Sequence, residues 1–300
     1  MVSGQWSLAR SLIPDIRLPK PDSRNPIPDM RILKSLWIWF SSVALLTLWL
    51  IPVGLVRLFD RRDPARYRAG RTLRRLAPIL VAINPMWKLR TEGTLVSDPR
   101  RPYVVVGNHQ SFADIPFIST VPWEMKWFAK AELFKIPVLG WLMRLVGDIP
   151  VDRHDRRRAA QALILAAQFL RNRCSVVFFP EGTRSRDGRV GGFSDGAFLL
   201  AVREGLPILP VAIDGSGDCL PKNSWVFGQP RTVQFALLPA ISTDGLTSKD
   251  VPDLRNQIRQ QIIAQIATWR GVPAESVDGL ASNQPAAADK SQQPYINNSR

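Results

Sequence analysis

Residues 103–114 read Tyr-Val-Val-Val-Gly-Asn-His-Gln-Ser-Phe-Ala-Asp. Tyr103–Val106 is a short aromatic and β-branched run of the kind that fills a buried strand. Gly107 ends it, and the polar cluster Asn108–Asp114 follows as a turn. In α/β folds reactive groups gather in such a place, the crevice at a strand's carboxyl end. His109 suits it, because imidazole is largely neutral at physiological pH and accepts a proton from an alcohol. A base of this kind needs one fixed tautomer and a negative charge beside it. Asp114, five residues on, supplies both if the intervening chain turns into the start of a helix. The pair alone is a weak signal, since a loop histidine is more often a satisfied structural residue.

The same strand-then-turn pattern recurs downstream. Ser175–Phe179 is a compact apolar run that stops at Pro180 and leads into Glu181-Gly182-Thr183-Arg184-Ser185-Arg186. Gly182 lets the backbone approach a ligand closely, Arg184 can grip a phosphate through two N–H groups, and Arg186 adds charge. A solvated turn with surface arginines would have the same composition. Lys130 and Arg153 are two further basic positions that also read as surface charge. Further strands are expected at Met125–Ala129, Gly147–Val151, Ile208–Ile213 and Thr232–Leu238. Helices are expected at Ala159–Leu170, Ala197–Arg203 and Asp250–Arg270, the last capped by Asp250 and stopped by Gly271. Short strands alternating with helices predict an α/β fold, a sheet covered by helices on both faces. The amphipathic stretch Ala131–Val146 reads either as the lining of an apolar channel or as ordinary core packing.

Composition narrows the partners. Lys and Arg outnumber Asp and Glu by 40 to 25, a net charge of +15, which points to an anionic partner and says little about fold. No nucleic-acid partner is expected: that needs a basic patch interleaved with exposed aromatics, whereas these arginines are spread out and the tryptophans lie largely in hydrophobic stretches. Two histidines exclude a His-rich metal site, and Cys174 and Cys219 show neither metal-ligand spacing nor a disulfide framework. His154, inside Asp152-Arg153-His154-Asp155-Arg156, reads as solvated.

Ser35–Val56 runs for 22 residues without a charge. That length crosses a hydrocarbon core of about 30 Å. Trp37, Trp39 and Trp49 fit an interfacial belt, with Lys34 and Arg57 bracketing the run. A buried core helix is the alternative. A helical hairpin with residues 72–88, broken by Pro78 and Pro85, is another. Arg57, Arg61, Arg62, Arg66 and Arg68 outweigh Arg31 and Lys34, which leans the C-terminal body toward the cytoplasm, at the inner membrane in a bacterium. The chain thus divides into a basic proline-rich arm (1–34), membrane-anchoring helical segments (35–90), an α/β domain (91–271) and a tail read as disordered (272–300).

Taken together, Asn108-His109-x₄-Asp114, Lys130, Gly147 with Asp152-Arg153, Phe179-Pro180-Glu181-Gly182-Thr183-Arg184 and Leu209-Pro210-Val211 resemble the glycerolipid acyltransferase family, specifically its 1-acylglycerol-3-phosphate acyltransferases. The resemblance covers roughly residues 76–240 and matches the two main motifs without substitution. It implies a glycerol-3-phosphate acyltransferase-like fold, a mixed sheet flanked by helices, preceded by an N-terminal membrane helix or helical hairpin. His109 would deprotonate the lysolipid hydroxyl and Asp114 would orient it. Lys130 and Arg184 would hold the acceptor's phosphate, with Arg153 and Arg186 as further candidates. Asn108, Glu181, Gly182 and Thr183 would shape the acceptor site, with backbone donors near Gly182 for an oxyanion.

The resemblance also implies a reaction without metal or resident cofactor, with acyl-CoA or acyl-acyl-carrier-protein as cosubstrate. Its partners would be lysophosphatidic acid and membrane phospholipids. Rival acceptors are glycerol 3-phosphate and other lysolipids such as lyso-ornithine lipid. The segment Phe193–Ala197, often lysine-bearing in the family, carries Ser194 and Asp195 here.

Overall fold

The computed structural model describes residues 30–153 and 155–281, so most of the basic arm (1–29), His154 and the distal tail (282–300) lie outside the described residues. The chain begins with helix α1 (Met30–Phe59), then α2 (Tyr67–Arg74) and α3 (Leu76–Ala82). Strand β1 (Trp87–Gly93) leads to β2 (Val104–Gly107), α4 (Asp114–Ile118) and β3 (Met125–Lys130). A 3₁₀ turn (Ala131–Lys135) precedes α5 (Leu139–Val146), β4 (Ile149–Val151), α6 (Arg156–Arg171) and β5 (Ser175–Phe178). The remainder is α7 (Gly196–Glu204), β6 (Ile208–Asp214), α8 (Ser216–Cys219), β7 (Arg231–Leu237), α9 (Val251–Arg270) and α10 (Ala274–Val277).

The strands form one mixed sheet in the order β1-β7-β6-β2-β5-β3-β4. All pairs are parallel except β6 with β7. Strand β2 lies centrally, which explains its unbroken Val104-Val105-Val106: both faces are covered. Val104, Val106, Val176, Phe178 and Ile208 pack under α6, α7 and α9 through residues such as Leu170, Phe198 and Ile262. Val105, Val177, Leu209 and Val211 point the other way, onto Ile118, Val121 and Trp123. This is the helix-flanked mixed sheet that the sequence implied.

Helix α1 is no core helix. Leu36, Trp37, Phe40, Val43, Leu48, Ile51 and Leu55 are exposed along one flank, and only Ser35, Ile38 and Val53 are buried. The other flank is tied to the body at successive heights. The Phe227 N–H donates to Ser35 Oγ (2.9 Å), Trp39 Nε1 to Trp225 O (2.8 Å) and Trp49 Nε1 to Thr72 O (2.8 Å). Val53 packs with Leu73, Leu142 and Val146. Two of the three tryptophans expected at an interface therefore bond to the protein, and Trp37 alone of them is mostly bare, at 60% exposure. Leu142 and Val146 pack inside, whereas Ile136 and Trp141 on the same stretch are exposed.

Two expectations are corrected, and a third, the Asp250 cap, holds in position but not in its side-chain bond. The anchoring segment does not run to residue 90: Trp87–Gly93 is an edge strand, paired in parallel with β7. Trp87 and Leu89 turn inward while Lys88 and Arg90 are exposed, an alternation the charges concealed. Asp250 occupies the cap position of α9, but its carboxylate turns back to the Thr247 N–H (2.8 Å) and hydroxyl (2.7 Å). The body also continues past 271. Val277 is fully buried, Asp278 pairs with Arg259, and the Val190 N–H donates to Val277 O at 2.9 Å. One apolar side chain, one ion pair and backbone bonds to Val190 strap these residues down, too little to register as a periodic pattern.

A buried charge network joins the helical entry to the sheet. Arg74 on α2 donates to Asp148 (2.6 Å) and Met125 O (3.2 Å), while Lys126 donates to Glu124 (2.8 Å) and Val146 O (2.7 Å). All four side chains are buried, two of each sign, and burial pushes the Glu124 carboxyl above its usual range against Lys126 and Arg74. Gly70 makes this packing possible, because a Cβ there would lie 1.9 Å from Glu124 Oε1. In an exposed helix Gly→Ala stabilises by about 1 kcal/mol. Here Gly70→Ala is expected to destabilise by about 3 kcal/mol or more, since it displaces a buried ion pair. Thermal denaturation of the purified variant in detergent checks the sign.

Candidate active site

The site lies at the carboxyl ends of β2, β5 and β6. Gly107 and Asn108 carry the chain out of β2, and the turn closes on Asp114, the first residue of α4. Asp114 is fully buried and its carboxylate gathers four donors. Oδ2 accepts from His109 Nδ1 (2.7 Å) and from the backbone N–H groups of Gln110 (2.8 Å) and Ser111 (2.9 Å). Oδ1 accepts from the Ser216 hydroxyl at the start of α8. The helix start that the sequence required is present, and it places the carboxylate on one ring nitrogen only. Nε2 of His109 bonds to no described residue, in a side chain 14% exposed. In a neutral imidazole with Nδ1–H held by the carboxylate, the lone pair lies on Nε2.

The ring is fixed from its other sides as well. Phe179, at the end of β5, stacks on it with centroids 4.0 Å apart and planes within 6°. Glu181 accepts the His109 N–H (2.8 Å) with one oxygen and the Gly191 N–H (3.0 Å) with the other. The Ser185 N–H donates to His109 O at 2.7 Å, so the turn after β5 is bonded to the turn after β2. Burial pushes the Glu181 carboxyl up to about 7, opposed by the two backbone donors.

Of the residues expected to shape the acceptor site, several act on the protein instead. Asn108 donates to Ile213 O and accepts from the Ile213 N–H, both at 2.9 Å, stapling the ends of β2 and β6. Both ends of its amide are thereby occupied. Glu181 likewise uses both oxygens on backbone. The Gly182 N–H donates to Phe179 O (3.1 Å), which removes it as an oxyanion donor. Gly182 is required for its conformation, φ 72°, a left-handed turn disfavoured for other residues. Thr183 is exposed and accepts from Lys222 (3.0 Å).

The cations fall into two groups. Arg184 is half-buried, its guanidinium 4.4 Å above the exposed Phe112 ring, and partial burial lowers its pKa against an opposing pull from Asp114. Arg186 is exposed on the same turn. Lys130 and Arg153 stand at the ends of β3 and β4, where Lys130 pairs with Glu132 at 3.6 Å. The Arg153 Nη1 approaches Gly182, lying 3.3 Å from where a Cβ would be. Partial burial lowers the Arg153 pKa, with Glu132 pulling the other way.

Sequence reasoning missed Ser216, Gln110, Asp214, Arg270 and Lys222. Gln110 donates to Asp214 (3.0 Å), and Arg270 grips Asp214 through two bonds (2.6 and 3.0 Å) while reaching Gly188 O (2.9 Å). Gln110, flanking His109, was the one member with a local signal. Lys222 donates to Arg184 O (2.6 Å) as well as to Thr183.

Residues 88–214 match the acyltransferase family model. Over 212 residues the chain is 35% identical to the chloroplast 1-acyl-sn-glycerol-3-phosphate acyltransferase LPAT1 of Arabidopsis thaliana, covering 68% of this chain and 58% of that one. It is 34% identical over 227 residues to the alpha 1-acyl-sn-glycerol-3-phosphate acyltransferase of Mus musculus, covering 75% and 76%. The crystal structure of the 1-acyl-sn-glycerophosphate acyltransferase PlsC of Thermotoga maritima is similar with a TM-score of 0.67 at 27% identity, covering 80% of this chain and 96% of that one. The chain spans 58% and 60% of the length of its chloroplast relatives from Arabidopsis thaliana and Brassica napus. Sheet and dyad together have the form of an acyltransferase. The chain belongs to the acyltransferase family, alongside the 1-acyl-sn-glycerol-3-phosphate acyltransferases.

Two outcomes follow from this geometry. Ser216→Ala leaves Asp114 Oδ1 without its donor and is expected to lower kcat about ten-fold, as initial rates will register. The second concerns pH. A carboxyl whose folded pKa is raised, here from 4.5 to about 7, stabilises the fold fully below 4.5 and loses that contribution as pH rises toward 7. The melting temperature of the native protein, relative to Glu181→Gln, should therefore decline across that window. A difference independent of pH would contradict the assignment.

Proposed function

We propose that the protein transfers a fatty acyl group from an acyl thioester to the free sn-2 hydroxyl of 1-acyl-sn-glycerol 3-phosphate, giving phosphatidic acid. The observation that carries this reading is the His109–Asp114 pair, with Nδ1 engaged and Nε2 unbonded, beside a turn bearing Arg184 and Arg186. His109 Nε2 takes the hydroxyl proton as the oxygen attacks the thioester carbonyl, and Asp114 stabilises the imidazolium that forms. Collapse of the tetrahedral intermediate expels the thiolate, which recovers the proton from His109. Arg184 binds the acceptor's phosphate, its guanidinium held level by Phe112. The donor is acyl-CoA or acyl-acyl-carrier-protein.

Membrane contact is assigned to the bare flank of α1. Its bonds to the body at Ser35, Trp39 and Trp49 support a helix that meets the bilayer while lying along the protein. The excess of positive charge favours the anionic cytoplasmic leaflet, at about 1 kcal/mol per basic residue near the surface. The acceptor's acyl chain then stays in lipid while its headgroup enters the crevice.

Purified protein with lysophosphatidic acid and acyl-CoA, or acyl-acyl-carrier-protein, should yield phosphatidic acid. His109→Ala should reduce the rate by about 10²–10⁴-fold, and Arg184→Ala should raise KM for the acceptor about ten-fold or more. An active His109→Ala enzyme would sink the mechanism. A modest effect of Arg184→Ala, with faster turnover of a phosphate-free lysolipid in an acceptor panel, would transfer the assignment to that lipid.

A further inference from the structure

Residues 216–222 form one short segment between β6 and β7 that reaches both halves of the site. At its start the Ser216 hydroxyl bonds to Asp114. Midway, the Ser111 hydroxyl donates to Leu220 O at 2.9 Å and pins the segment to the turn that carries His109. At its end the Lys222 ammonium donates to Thr183 Oγ1 (3.0 Å) and to Arg184 O (2.6 Å). An ammonium has three protons, so one remains.

The charge around Lys222 is unbalanced. Partial burial lowers its pKa, and the neighbouring Arg186 and Arg184 lower it further, opposed only by Glu181. Glu181 has both oxygens on backbone donors and a carboxyl raised to about 7. Among the described residues, Lys222, Arg184 and Arg186 form no ion pair with a carboxylate. Arg74 and Lys126, by contrast, are paired directly with Glu124 and Asp148. Three neighbouring cations with no carboxylate in direct contact, and only Asp114 and Glu181 acting from further off, repel one another until an anion arrives. A phosphate monoester, with a charge of about −1.5 to −2 and three acceptor oxygens, is the matching ligand.

We propose that Lys222 is a third cation of the acceptor site, binding the acceptor's phosphate monoester together with Arg184 while tethering the Thr183–Arg184 turn. This deepens the acceptor assignment above and rests on it. The role differs from simple bracing of the turn: a brace that fails misplaces the residues bonded to His109 and lowers kcat, whereas a lost phosphate contact falls on KM.

The test compares the native enzyme with Lys222→Met and Lys222→Arg. In Lys222→Met, KM for lysophosphatidic acid should rise on the order of ten-fold, with kcat falling far less, and the inhibition constant for inorganic phosphate should rise by a similar factor. Lys222→Arg should recover most of both. A second readout is independent of turnover: inorganic phosphate should raise the melting temperature of the native protein and of Lys222→Arg, and much less that of Lys222→Met. Equal stabilisation of all three by phosphate, or a loss confined to kcat that Lys222→Arg does not rescue, would overturn the proposal. If the native enzyme fails to acylate lysophosphatidic acid yet shows phosphate stabilisation that depends on Lys222, the acceptor assignment falls and the anion site stands.

Discussion

The site is organised around one buried carboxylate. Asp114 has no exposed surface, and a carboxylate so placed is tolerated only when its oxygens are fully hydrogen-bonded. Its donors come from two distant parts of the chain, the turn His109–Ser111 and Ser216 beyond β6. Satisfying them fixes the turn after β2, the start of α4 and the position of α8 in one step. The same bonds decide which nitrogen of His109 faces inward. Asn108 and Glu181 repeat the principle, the first stapling β2 to β6 and the second holding the His109 backbone from the turn after β5. The imidazole is thus preorganised by side chains whose own polar atoms are engaged within the protein.

Charge is used in two opposite ways. At Arg74, Glu124, Lys126 and Asp148 it is buried and balanced, and joins the helical entry of the chain to the edge of the sheet. At Arg184, Arg186 and Lys222 it is nearer solvent and unbalanced. The first arrangement costs desolvation and returns geometry; the second keeps an electrostatic deficit that a ligand can fill. The turn from Glu181 to Gly191 lies between these regimes. Arg259 donates to Gly191 O and Val190 O, both at 2.7 Å, and Arg270 donates to Gly188 O, so α9 holds from behind the turn that presents Arg184 in front.

Much of this was legible in the sequence, for identifiable reasons. Strands β2, β5 and β6 lie inside the sheet, and burial on both faces leaves unbroken apolar runs that local composition reveals. Strand β1 is an edge whose Lys88 and Arg90 disguise the alternation. His109 and Asp114 lie five positions apart with a local bond, a weak signal alone that became readable with the Phe179–Arg184 motif and the family resemblance. Ser216 was not, since 102 residues separate it from Asp114 and a serine before a short helix carries no chemical signature. Lys222 was hidden likewise, 38 residues from its partner Arg184. Asn108 was placed at the acceptor site by the family resemblance, and its bonds to Ile213 reveal a staple between β2 and β6.

Which ring nitrogen of His109 carries the proton decides whether it can act as the base, and with two histidines in the chain this is directly observable. Nitrogen-15 NMR of the histidine-labelled protein, with His154→Gln for assignment, reads the protonation of each ring nitrogen. Expected at neutral pH is a proton on Nδ1, shifted downfield by Asp114, and a bare Nε2, with the pattern lost in Asp114→Asn. A proton on Nε2 with Nδ1 bare, or a spectrum unchanged by Asp114→Asn, would contradict the assignment of His109 as the base.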